Sequence, residues 1–131
     1  MKVKDVMIDM GHFPVVDKKA ILKEALTEMG KANLGLVCII SGNNELLGLI
    51  TDGDLRRKLL KVQKPFSAFF IDDALIHANE SPIICNPNDN LKEIVSLMGN
   101  KQIWDLPVVN NNNKLVGLLH LHPAVKKLIG E

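Results

Sequence analysis

Tyrosine is absent from this 131-residue chain, and tryptophan occurs once. So small an aromatic complement offers no row of stacking platforms for single-stranded nucleic acid. Neither sign of charge dominates: sixteen lysines and arginines face fifteen aspartates and glutamates, a formal net charge of +1. That balance makes no broad field for nucleic acid or an anionic membrane. Cysteine is scarce. Cys38 and Cys85 lack a CxxC partner or zinc-type spacing, so buried thiols in a reducing cytosol are expected. No apolar run is long enough to cross a bilayer. The lysine-bearing start, MKVKDVMIDM, lacks the apolar stretch of a secretory signal. No phosphate loop of the GxxxxGK type occurs, and no nucleophile–base arrangement stands out. These absences point to a soluble cytoplasmic protein. Its length suits one domain or two very small ones, and 47% apolar residues can build a core.

What is present is a repeat. Displaced by 69 positions, Leu22-Lys23-Glu24 falls on Leu91-Lys92-Glu93, Met29-Gly30 on Met98-Gly99, and Leu47-Gly48-Leu49 on Val116-Gly117-Leu118. No gap is needed from there to Leu59-Leu60 and Leu128-Ile129. Upstream, Pro14-Val15-Val16 matches Pro82-Ile83-Ile84 with an offset of 68, which implies one inserted residue. Two copies of one unit, 1–64 and 65–131, are expected.

Each copy reads strand, helix, strand, strand, helix. A short apolar run (Phe13–Val16; Pro82–Cys85) precedes an amphipathic helix. Ile21, Leu22, Ala25, Leu26 and Met29 share one face; so do Leu91, Ile94, Val95 and Met98. Continuous apolar runs, Leu36–Ile40 and Leu106–Val109, predict strands buried on both faces. Asn- and Gly-rich turns follow (Ser41–Asn44; Asn110–Asn113), since asparagine tolerates left-handed backbone. Second strands are expected at Leu46–Ile50 and Leu115–Leu119, and closing helices at Gly53–Lys61 and Pro123–Ile129. One such unit is too small to bury its sheet well. An α+β module is therefore expected, its two sheets packed face to face with pseudo-twofold symmetry and clefts between the copies.

The most chemically loaded stretch is LGLITDGDLRR, Leu47–Arg57. Thr51 supplies a hydroxyl and Asp54 a carboxylate where a strand gives way to a helix. A carboxylate can accept from both hydroxyls of a ribose, and the free N–H groups of a first helical turn favour phosphate. Gly48 and Gly53 allow close approach. The same Thr-x-x-Asp is also a capping-box pattern, worth about 1 kcal/mol. The second copy is an internal control: Thr51 becomes His120 and Asp54 becomes Pro123, a residue tolerated in a first turn. The fold does not need the pair, which favours a ligand and one competent cleft.

Other features are weaker. His120-Leu121-His122, read on a strand, puts both imidazoles on one face, yet no third metal ligand is evident. Lining the cleft, or a structural role, are the other readings. Arg56, Arg57, Lys58, Lys61 and Lys64 make a solvated basic face from which Arg56 or Arg57 could reach a phosphate. Trp104, beside Asp105, is expected to pack at a helix end or a dimer surface. Phe66, Phe69 and Phe70 are expected to pin the copies together or to mediate oligomerisation.

The element order and the signature G-x-x-T-x-x-D (Gly48, Thr51, Asp54) resemble a tandem CBS domain pair, a Bateman module, over Val3–Leu128. KANLGLVCII, LGLITDGDLRR and VGLLHLH further resemble the C-terminal regulatory region of arabinose-5-phosphate isomerases. In that family the pair follows a catalytic sugar-isomerase (SIS) domain. The expectation is an excised regulatory region or a stand-alone homologue, with no catalytic residue and no metal of its own. The resemblance implies a homodimeric sensor of a nucleotide or nucleotide-sugar, with AMP, ATP and CMP-Kdo as ligand types, serving Kdo and lipopolysaccharide biosynthesis. A structural oligomerisation module, or a direct share in isomerase activity, are the alternatives. The ligand-binding candidates are Gly48, Thr51, Asp52, Asp54, Arg56, His120 and His122. The family pattern has an Asp after HxH in the second copy, and Pro123 departs from it.

Overall fold

A computed structural model describes residues 1–61 and 63–130. In chain order it has β1 (Ile8–Asp9), β2 (Val15–Asp17), α1 (Leu22–Ala32), β3 (Leu36–Ile40), β4 (Leu46–Thr51) and α2 (Asp52–Lys61). There follow α3 (Phe66–Phe70), α4 (Leu91–Lys101), β5 (Asp105–Val109), β6 (Leu115–His120) and α5 (Leu121–Leu128). Short 3-10 turns occupy Val3–Asp5 and Ala74–His77. The expected α+β class is observed, with two three-stranded sheets, β2-β3-β4 and β1-β6-β5. Among the described residues, no helix is long and apolar enough to cross a membrane.

The repeat is reproduced in the two hairpins. β3 and β4 pair antiparallel with a bulge between Ile39 and Ile40; β5 and β6 do the same between Val108 and Val109. Asn33 and Gln102 end the first helix of each copy, both at φ 55°, and Asn44 and Asn113 turn the hairpins at φ 64° and 63°. These left-handed positions explain the asparagines. Ser41 and Asn110 hold the hairpins alike, their side-chain oxygens accepting N–H groups two and four residues on. The predicted strand at Pro82–Cys85 is reduced to one parallel bridge, Cys85 to Val108, against a three-residue β2 whose Val16 faces Ile39. That pairing aligns Val16 with Cys85 at the offset of 69. The 68-residue match of the prolines is thus not the register that the backbone follows.

Space divides the chain differently from the repeat. One compact unit is Phe13–Pro82; the other joins Met1–His12 to the chain from Ile83 onward. Each copy is completed by the segment that leads into the other. Leu22 N–H donates to the Asp72 carbonyl and Ala74 N–H to that of Ala20. Leu91 N–H donates to the Met1 carbonyl and Val3 N–H to that of Asp89. β1 then pairs antiparallel with β6, and Asn79 bridges Leu49 in the same sense. None of this is legible as a repeat, because the two lead segments share little sequence.

Each unit has its own core. In the first, Leu22, Ala25 and Met29 of α1 meet Val16, Val37, Ile39 and Ile50, with Phe69 and Ala74 from the segment that follows α2. Phe69 therefore serves the core of its own unit, while Phe66 is exposed and stacks on Phe70. In the second unit, Leu91 and Met98 of α4 meet Val3, Cys85, Leu106, Val108, Leu119 and Ala124. Both thiols are buried, and burial pushes that of Cys85 up to about 12, which leaves it unreactive.

The lead segments lie directly on glycine. A Cβ on Gly48 would stand 2.9 Å from the Ala78 Cβ, and one on Gly117 2.6 Å from Met7 Sδ and 2.9 Å from the Ile8 carbonyl oxygen. Gly117→Ala is therefore expected to cost about 1–3 kcal/mol in urea unfolding. Gly30→Ala, in α1 with open space around it, should instead stabilise by about 0.5–1 kcal/mol.

Asp72 anchors the segment after α3. Its Oδ2 accepts from Lys64 Nζ at 2.6 Å and pairs with the buried His77 Nε2 at 2.9 Å. The hydrogen bonds from Lys64 and then His77 hold its carboxyl below the ordinary 3.8. A pKa lowered by folding stabilises above the unfolded value and is lost as pH falls through the folded one. Asp72→Asn should therefore flatten the acid limb of stability below about pH 4, as read by thermal melts across pH.

Candidate functional site

The corner where β4 becomes α2 is built by the backbone first. The N–H of Asp52, first residue of α2, donates to the Gly35 carbonyl at 2.9 Å. The equivalent bond in the second unit runs from Leu121 to Trp104, also at 2.9 Å. These bonds turn each strand into its helix one or two residues earlier than predicted. Pro123 is thus the third helical residue, still in the first turn, where its missing N–H loses no helical bond. His120 ends β6 while His122 lies on α5, so the pair does not share a strand face. The helical turn nonetheless keeps the two rings 6.0 Å apart.

At the first corner the cap is real. Thr51 Oγ1 accepts the Asp54 N–H at 3.1 Å. Asp54 does not reciprocate as in a full capping box; its Oδ1 accepts from Arg57 Nη2 at 2.8 Å. Both partners of that pair are partly exposed, so it contributes little by itself. The Asp52 carboxylate lies over Gly35, where a Cβ would stand 2.7 Å from its Oδ2. Arg56 is exposed. Thr51, Asp52 and Asp54 thus gather at one strand end. Gly48 lies apart, buried beneath Ala78 and Leu75.

At the second corner, His120 Nδ1 lies 2.7 Å from Asp105 Oδ1. Burial pushes the Asp105 carboxyl upward, and the hydrogen bond with His120 opposes it. The Trp104 indole, 60% exposed, stacks on His122 at 6.0 Å. Neither Trp104 nor Asp105 stands among the sequence candidates. The repeat carries the signal: they occupy the positions of Gly35 and Leu36. Among the described residues no three His, Cys, Asp or Glu side chains are grouped to hold a metal ion.

The CBS domain model matches residues 3–61 and 73–122. The chain belongs to the CBS domain family. This CBS pair is 33% identical over 128 residues to an uncharacterized protein of Helicobacter pylori strain J99, covering 96% of this chain. It is 30% identical over 126 residues to the arabinose 5-phosphate isomerase KdsD of Escherichia coli K12, again covering 96% of this chain. It spans only 37% of either relative's length. Among solved structures, CBSX2 of Arabidopsis thaliana in complex with AMP superposes with a TM-score of 0.84 at 24% identity, covering 98% of this chain and 96% of that one. The CBS pair of MJ0100, in complex with 5'-methylthioadenosine and S-adenosyl-L-methionine, gives 0.76 at 19%, covering 99% and 96%.

The cap makes a prediction independent of any ligand. Thr51→Ala should lower the stability of the CBS pair by about 1 kcal/mol in chemical denaturation, and Thr51→Ser by much less, because serine keeps the acceptor.

Proposed function

We propose that this CBS pair is a sensor of an adenosine nucleotide or a related nucleotide-sugar, held at the corner of Thr51, Asp52 and Asp54 with Arg56 within reach of a phosphate. One observation carries the reading. The backbone bond that forms the corner is the same in both units, yet Thr51 and Asp54 occur in only one. Thr51 caps α2, but α5 begins after His120 without a side-chain cap, so the helix start does not depend on that pair. Asp54 is held by an exposed arginine that can turn to a phosphate and free the carboxylate for ribose hydroxyls. The solved CBS pairs with AMP and with adenosyl ligands support the ligand class. The likeness to KdsD supports a setting in a sugar-phosphate isomerase, and the form proposed is a cytoplasmic homodimer in which an SIS domain precedes the pair. There the sensor acts by linkage: a ligand that prefers one arrangement of the pair biases the attached enzyme.

Thermal-shift titration with AMP, ATP and CMP-Kdo tests this. A ligand of this site should raise the melting point, with about 2.7 kcal/mol of added stability at a hundredfold excess over its Kd. Thr51→Ala combined with Asp54→Ala should abolish the ligand-dependent part. No shift with any of the three rejects nucleotide sensing and leaves a structural module.

A further inference from the structure

The sensing reading uses only Arg56 of the basic stretch that follows the first corner. From Leu55 to Ile71 the chain carries Arg56, Arg57, Lys58, Lys61 and Lys64 and no acidic residue. Charges nearly cancel across the whole chain, so this field is local and not broad. Two of the five cations are paired, Arg57 with Asp54 and Lys64 with Asp72. Among the described residues, Arg56, Lys58 and Lys61 have no ion-pair partner.

Apolar side chains stand out among these charges. α2 buries none of its residues. Leu55 turns to the core, whereas Leu60 is 81% exposed. Leu60 follows Arg56 by four residues and Arg57 by three, so all three share the outer face of the helix. Beyond α2, Phe66 is 64% exposed and stacks on Phe70 at 6.2 Å, and Ile71 is 69% exposed. The second copy is again a control. Arg56 becomes Val125 and Lys61 becomes Gly130, yet the corresponding helix α5 still forms. The fold does not require these cations.

Leu60, Phe66 and Ile71 protrude from the surface, so whatever covers them must give way to them. Five like charges oppose a second copy of the same face. The matching surface is soft, negative on top and apolar beneath. We infer that α2 and α3 rest on an anionic lipid bilayer, with Leu60 and Phe66 entering between the headgroups while Arg56, Arg57 and Lys61 meet their phosphates. The inference does not rest on the nucleotide reading of the Thr51 corner.

The full chain is sedimented with vesicles of phosphatidylcholine alone and with vesicles containing about one-third phosphatidylglycerol. Binding is expected to the second kind only, and it should fall roughly tenfold when salt is raised to about 0.5 M. Leu60→Ser with Phe66→Ser should weaken it roughly tenfold, as should Arg56→Gln with Lys61→Gln. All four side chains are exposed, so melting points should stay at the wild-type value, which separates lost binding from lost folding. Thr51→Ala with Asp54→Ala should leave vesicle binding unchanged. The inference is overturned by no binding to the anionic vesicles, by equal binding to the neutral ones, by equal binding of either surface variant, or by binding lost with Thr51 and Asp54. It is also overturned if, without lipid, the wild-type chain sediments as a dimer and Leu60→Ser with Phe66→Ser as a monomer, which would seat a second copy on this face.

Discussion

A bare backbone at the middle of the last strand is the constraint on which both units depend. Gly48 and Gly117 leave room for a second chain segment to lie on β4 and β6, with contacts at 2.9 Å and 2.6 Å from where a Cβ would be. A methyl group there would push that segment off. Its backbone bonds to the sheet, and the buried Val3 or Ala74 behind it, would follow. Because the segment comes from the lead-in of the other copy, the repeat boundaries are not those of the folded units: one is the continuous piece Phe13–Pro82, and the other joins Met1–His12 to the chain from Ile83 onward. The glycine of the family signature is thus explained by packing within the fold, before any ligand is considered.

The same frame carries two different chemistries. A helix start needs an acceptor for its first N–H groups, and both corners obtain one from a backbone carbonyl, at Gly35 and at Trp104. That releases the side chains. At the first corner they are a hydroxyl and two carboxylates, with an exposed arginine; at the second, a half-buried carboxylate, two imidazoles and an indole. Asp105 sits where burial opposes its charge, and its partner His120 offsets that cost. Asp72 is the opposite case: two donors and little burial stabilise its charge. At the corners the side chains diverge, while the backbone bond that starts each helix stays the same.

The apolar periodicity made α1, α4 and the four long strands legible, because burial is what selects those residues. The asparagine turns were legible for a stereochemical reason, positive φ. The lead segments were not, since β1 spans two residues and its counterpart is a single bridge. Their partner lies far away in sequence and their own side chains barely alternate. Helix starts were misjudged by one or two residues for a related reason. Gly53 and Pro123 look like punctuation locally, but the carbonyl just before β3 or β5 sets the turn. The corner signature drew notice to Thr51 and Asp54, whereas Trp104 and Asp105 lie outside it and gain meaning only beside His120 and His122.

The sequence by itself determined that there are two copies, what elements each contains, and that one corner holds a Thr and an Asp the other lacks. These are properties of composition and spacing, set locally by side-chain volume, polarity and backbone preference. Tertiary structure decided which segment completes which unit, that Gly48 is a packing contact, that Thr51 accepts from Asp54 N–H while Asp54 turns to Arg57, and that Trp104, Asp105, His120 and His122 converge. Each of those depends on pairings across long stretches of chain. Local propensity carries no information about such pairings until the strands have found their register.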